Sequence, residues 1–153
     1  MRLEQESYGD AGLASFIEEN FIPLEVHIKE NPRNFRRFNA FWTPTVLIMD
    51  ADGIERTRLE GYLPKDEFKA HLTMGLARVA MTKKRWADAE QLFESVIDGQ
   101  PNSPFVPQAI YYRGVSRYSV SHESSDLALT AVELDEKFHG NEWQLRSIPW
   151  LKE

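Results

Sequence analysis

Residues 41–53 read FWTPTVLIMDADG, and this stretch decides how the rest of the chain is parsed. Val46, Leu47, Ile48 and Met49 form a continuous apolar run, the pattern of a strand buried on both faces. Asp50-Ala51-Asp52-Gly53 is a turn signal. The residues after it, IERTRLEGYL, alternate in polarity and read as the partner strand of a hairpin. Pro44 has no N–H to give to a ladder and restrains the residue before it. Thr43-Pro44-Thr45 therefore reads either as a strand-opening device or as part of a binding site.

Working outward, residues 10–21 have helical spacing. Asp10 can cap the first turn, and Leu13, Phe16 and Ile17 share a face. Residues 22–28, IPLEVHI, alternate, with Leu24, Val26 and Ile28 to one side and Glu25 and His27 to the other. That pattern predicts a half-buried strand. Asn31-Pro32 opens a further helix with Phe35 and Phe38 on one side. Trp42 either packs under that helix or serves as a recognition aromatic beside Pro44. On the C-terminal side, Gly61 and Pro64 punctuate a new helix, with Pro64 in its first turn.

From Lys65 onward the periodicity is helical throughout. Phe68, Leu72, Leu76 and Val79 recur at that spacing. A second amphipathic helix follows Trp86, with Ala89, Leu92, Phe93 and Val96 inward. DGQPNSP breaks it, PQAIYYRGVSRYSV makes a third helix, and LALTAVELDEKF a fourth after the polar break SHESSD. The tail NEWQLRSIPWL is expected to cap these helices with Trp143 and Trp150. Tyr111, Tyr112 and Tyr118 are either core residues or the lining of a groove.

With 153 residues, 42% hydrophobic and 27% charged, the chain can bury a real core. Its net charge of -6 argues against nucleic acid, whose recognition needs a clustered basic face. Arg33, Arg36 and Arg37 are read as a solvated helix face. The absence of cysteine removes disulfides, thiolate metal sites and Cys-based redox or nucleophilic chemistry from this chain. His27, His71, His122 and His139 stand in no metal-ligand spacing, and no phosphate loop is present. DADG is too short for a calcium loop. No cofactor or metal is expected. No run approaches a membrane span and the polar start is no signal peptide. A soluble cytoplasmic protein without membrane or nucleic-acid partners is the default expectation, with export of a longer parent as the alternative.

The first half resembles the C-terminal two-thirds of a thioredoxin-like domain, in the order helix, strand, ENP-opened helix, PT-led strand, DG hairpin and helix. WTPTVLIMDADGIERTRLEGYL carries the closest likeness. The resemblance implies that Pro44 is the cis-proline of that family and that the backbone of Thr43 faces an extended substrate segment. RLEQESY would match the helix after the family's Cys-x-x-Cys, so this chain lacks both that motif and the strand before it. That strand would be the central one, between residues 24–28 and 45–50. Its absence leaves unpaired edges. The two strands would then pair directly, or a partner chain would fill the gap, or the chain is a fragment of a longer protein, which is the favoured reading.

The second half resembles tetratricopeptide repeats, which stack helix-turn-helix units. RWADAEQLFESVIDGQPNSP fits one unit's second helix and exit turn. Gly114 falls at the small position where two helices touch, and Gly140 where the repeat's proline often lies.

The expected fold class is α/β followed by all-α: an incomplete thioredoxin-like sheet over residues 1–75, then a helical-hairpin tail over 76–153. The helix around residues 64–82 could serve both. The expected function is a non-catalytic module binding a protein or extended peptide. Trp42, Thr43 and Pro44 would face the peptide, Tyr111, Tyr112 and Tyr118 would line a repeat groove, and oligomers could form through unpaired strand edges. The alternatives are a thiol-disulfide oxidoreductase fragment with its cysteine pair upstream of Met1, and a structural assembly subunit.

Overall fold

A computed structural model describes residues 10–151 of the chain. The segment RLEQESY lies outside the described residues. Helix α1 is Ala11–Asn20 and α2 is Pro32–Arg37; strands β1, Thr45–Met49, and β2, Glu55–Glu60, follow. Then come α3 (Lys65–Thr82), α4 (Trp86–Gly99), α5 (Val106–Ser121), α6 (Ser124–Phe138) and α7 (Glu142–Ser147), and a 3-10 turn, Ile148–Trp150. The architecture is thus a two-stranded antiparallel sheet with helices, followed by an all-helical region.

Local chemistry accounts for the ends of these elements. The Asp10 carboxylate accepts from the Leu13 N–H at 2.9 Å and so caps α1. Pro32 sits in the first turn of α2, where a missing N–H costs nothing. Pro64 is the residue just outside α3, one position ahead of the first-turn place expected. Asp66 and Glu67 in that helix's first turn oppose its positive N-terminal end. In the hairpin turn, the Asp50 carboxylate accepts from the backbone N–H groups of Asp52 (2.9 Å) and Ile54 (3.0 Å). Gly53 takes φ +76°, which favours a residue without Cβ. Pairing runs from Thr45 opposite Glu60 to Ile48 opposite Thr57, with an irregularity at Ile48/Met49.

Two helices cover one face of the hairpin. Leu13 and Ile17 of α1 and Phe68 and Leu72 of α3 close on Ile48, with Val46 and Leu59 at the margin. The same α3 supplies Ala70, Met74, Ala77 and Ala80 to a second core with Ala89, Phe93 and Val96 of α4 and Ala109 of α5. This is why α3 is buried nearly all round, while the expected stripe residues Leu76 and Val79 are only half-buried. Beyond it, consecutive helices pack pairwise, α4 on α5 and α5 on α6. A third cluster of Val106, Ile110 and Leu134 is closed by Phe138 and Trp143.

Ion pairs from Arg113 and Arg117 hold α5 between its neighbours. The buried Arg113 donates to Glu94 of α4 at 2.8 Å and to Glu133 of α6. Arg117, one turn on, donates to Glu90 at 2.7 Å. Burying a guanidinium is tolerable here because carboxylates meet it from both sides.

Two expectations are corrected. Residues 22–28 form no strand, and Ile22 and Leu24 are 97% and 82% exposed. Period-2 patterning marks a segment that could sit in a sheet, but a strand exists only with a neighbour to bond. Among the described residues β1 pairs with β2 alone, so direct pairing of the 22–28 segment with β1 does not occur. Nor is β1 buried on both faces. Ile48 is buried and Met49 is exposed, because the cover of the Leu47/Met49 face is the short α2 and the loop after it, tied down where Arg58 donates to the Phe38 carbonyl at 2.7 Å.

Helix contact depends on two glycines. A Cβ on Gly75 would lie 2.1 Å from Ile48 Cδ1, and one on Gly114 2.1 Å from Thr130 Oγ1 and 2.7 Å from Thr130 Cβ. Ile48 Cδ1 is the end of a flexible side chain, whereas Thr130 is β-branched and stiff. Alanine normally stabilises a helix by about 1 kcal/mol over glycine. At Gly114 the sign is expected to reverse, with Gly114→Ala costing about 1–3 kcal/mol in urea denaturation. Gly75→Ala should cost less, and Ile48→Val, which removes the clashing Cδ1, should restore most of that loss.

Candidate functional site

The Thr43–Pro44 peptide bond is cis. The Pro44 carbonyl accepts from the Gly61 N–H at 2.8 Å, which ties the start of β1 to the end of β2. Because backbone groups alternate along an antiparallel ladder, Val46 follows Pro44 in facing β2. The N–H and C=O groups of Thr45 and Leu47 then point to the other edge, where β1 has no sheet neighbour among the described residues. Trp42 stands at the start of this edge, 64% exposed, with Phe41 exposed beside it. The Thr45 hydroxyl donates to the Trp42 carbonyl at 2.8 Å and braces the turn. Trp42, Thr43 and Pro44 thus form one contiguous surface, and Trp42 is not packed away under α2.

The three tyrosines do not share one groove. Tyr111 stacks on Trp150 with ring centroids 4.4 Å apart and also meets Trp143 at 5.3 Å. Tyr112 lies between Phe93 and Trp143. Both therefore join the aromatic closure that the C-terminal tail makes over α5. Tyr118 is partly exposed two turns further along α5, against His122. Of the histidines, His139 bonds Asp135 at 2.9 Å on the surface. Among the described residues no three potential metal ligands converge.

A second feature was not legible in the sequence. Between β2, α3 and α5 lies a half-open cavity of about 280 Å³, lined among others by Thr57, His71, Met74, Arg78, Phe105 and Tyr112. His71 is only 6% exposed and its ring tilts against Phe105 at 5.8 Å. His71 Nε2 and Thr57 Oγ1 are both buried without a hydrogen-bond partner. Each such atom costs about 1–3 kcal/mol. The signal available in the sequence was His71 and Arg78 two turns apart on one helix. The residues that complete the cavity come from elements far apart along the chain.

Residues 1–75 match the family model of the thioredoxin-like domain. The chain finds no match among curated proteins or among solved structures. The hairpin, α1, α2 and the first part of α3 lie within the matched residues. No helix among the described residues is long and apolar enough to cross a membrane.

Electrostatics at the hairpin are settled by pairing. Backbone donation from Ile54, with Arg56 at 2.8 Å, holds the Asp50 carboxyl below its ordinary range. His71 is perturbed in a different way, because burial pushes its pKa from 6.5 down to about 4. Between those values the unfolded chain binds a proton that the folded chain refuses. The stabilising contribution is therefore complete above pH 6.5 and is lost as the pH falls toward 4. The loss amounts to about 3 kcal/mol. Urea denaturation of the wild type and His71→Phe across that range should show a wild-type decline steeper by about this amount. Equal slopes would contradict a neutral buried imidazole.

Proposed function

We propose that the chain is a non-catalytic protein-interaction module that takes an extended segment onto the free edge of β1. The observation that carries this is the pairing of β1 with β2 alone among the described residues, which leaves the Thr45 and Leu47 backbone groups directed outward. An added strand satisfies those groups and gains affinity from main-chain hydrogen bonds, while side-chain contacts supply selectivity. Trp42, Thr43 and Pro44 lie where such a segment would begin or end. Trp42 offers a large exposed aromatic of the kind that anchors interfaces. In this reading the chain divides at residues 75/76, with α3 shared, into a thioredoxin-like unit that carries the edge and a tetratricopeptide-like tail. Pairwise helix packing and the Gly114–Thr130 contact support the repeat reading.

A second reading has its own observation in favour. Ile22 and Leu24 belong to a strand-patterned segment that stands exposed and, among the described residues, unpaired. A strand inserted between this segment and β1 would satisfy both. If a longer parent protein supplies that strand with a Cys-x-x-Cys behind it, the whole is a thiol-disulfide oxidoreductase and Pro44 lies beside its thiols. The chain as given carries no thiol to perform that chemistry.

The two readings separate experimentally. A peptide selected for binding to the chain should shift the amide resonances of Thr45 and Leu47, and Trp42→Ala should weaken it by about tenfold or more. A peptide that shifts only resonances of α4–α7, with no effect of Trp42→Ala, would sink the edge-binding reading. Fusing a strand and Cys-x-x-Cys segment ahead of Met1 should produce insulin reduction and protect the 22–28 amides from exchange under the second reading. A fusion that leaves those amides unprotected and insulin intact would reject it.

A further inference from the structure

The cavity between β2, α3 and α5 stands apart from the β1 edge and does not depend on its role. The polar atoms around it are unequally committed. Arg56 and Arg58 flank Thr57 on the strand, and their guanidinium groups are taken up by Asp50 and by Glu55 with Glu60. Arg78 differs from both. Its guanidinium lies over the Tyr112 ring at 4.4 Å and makes no ion pair among the described residues. His71 Nε2 and Thr57 Oγ1 lack partners as well. The remaining walls are formed by Tyr112, Phe105, Met74 and the amide side chain of Gln108.

These features select a ligand by chemistry. One uncommitted cation calls for a single anionic group, and a planar guanidinium favours a carboxylate. The neutral hydroxyl and imidazole can complete its hydrogen bonds. Phe105 and Met74 suit a flat apolar body, and about 280 Å³ sits near the lower end of small-ligand pockets. We propose that this cavity binds a small aromatic carboxylate, held by Arg78 and Thr57 at its carboxylate and by Phe105 and Met74 at its ring. In a chain of net charge -6, recognition of an anion has to come from such a local cation rather than from the overall field.

Benzoate is the probe, titrated into the full chain while the His71 imidazole signals are followed by NMR. Saturable shifts are expected, with benzamide, the neutral analogue, binding about tenfold more weakly or worse because it lacks the charge. Arg78→Gln should weaken benzoate by about tenfold, Arg78→Lys should recover part of that loss, and Thr57→Val should weaken it without altering Arg78. Circular dichroism on each variant separates lost binding from lost folding. If Arg78→Gln unfolds, the comparison of benzoate with benzamide on the wild type decides alone. The proposal is overturned by non-saturating shifts, which would mean a cavity filled by water only, by equal affinity for benzamide, or by benzoate binding unchanged in folded Arg78→Gln.

Discussion

Ile48 rests on the bare backbone of Gly75, and most of the molecule is organised around that contact. It sets the hairpin directly on α3. Because α3 runs without interruption from Lys65 to Thr82, whatever orients the hairpin also orients the helices packed on the other side of α3. A glycine in mid-helix gives up about 1 kcal/mol of helix propensity. Here the loss is offset by close approach and by burial of Ile48 with Phe68 and Leu72. The helix surface is consumed in three directions, by the hairpin core, by α4 and by the cavity, so it has no solvated polar face in its middle.

The sheet is asymmetric in consequence. One face is closed by α1 and α3, the other is lightly covered by α2, and one edge of β1 stays open among the described residues. Exposed backbone groups on a strand edge are a hazard that proteins generally blunt with charge, proline or a cover. This edge has Pro44 at its start and little charge along Thr45–Met49. An edge so weakly guarded is suited to being filled, whether by a partner segment or by another part of a longer chain.

Charge pairing does the corresponding work in the helical half. Arg113 lies buried between Glu94 and Glu133, and Arg117 reaches Glu90, so α4, α5 and α6 are registered by direction-dependent bonds as well as by packing. Hydrophobic contact alone would tolerate sliding along the helix axes, whereas each guanidinium fits one position. The aromatic tail then closes the end of α5, with Trp143 and Trp150 on Tyr111.

The sequence by itself determined the elements whose signals are local. The DADG turn, the alternation through residues 55–60, the Asp10 cap and the helical spacing after Lys65 are properties of short stretches, and each appears where expected. The match of residues 1–75 to a thioredoxin-like domain agrees with that reading of the first half. The failure at residues 22–28 has a clear cause: alternation reports which side chains could be buried together, but a strand is made by its neighbour's hydrogen bonds. The same limit hid the cavity. His71 and Arg78 stand two turns apart on one face of α3, but nothing in the spacing ties Thr57 or Phe105 to them, and only folding brings β2 and the start of α5 around the same space. Tertiary structure also decided the fate of the tyrosines, since Tyr111 and Tyr112 are neighbours in any helix, but the indoles that cover them arrive from more than thirty residues away. Local periodicity is written in consecutive residues. Burial, pairing and the lining of a cavity depend on which distant residues arrive, and that is settled only when the chain has folded.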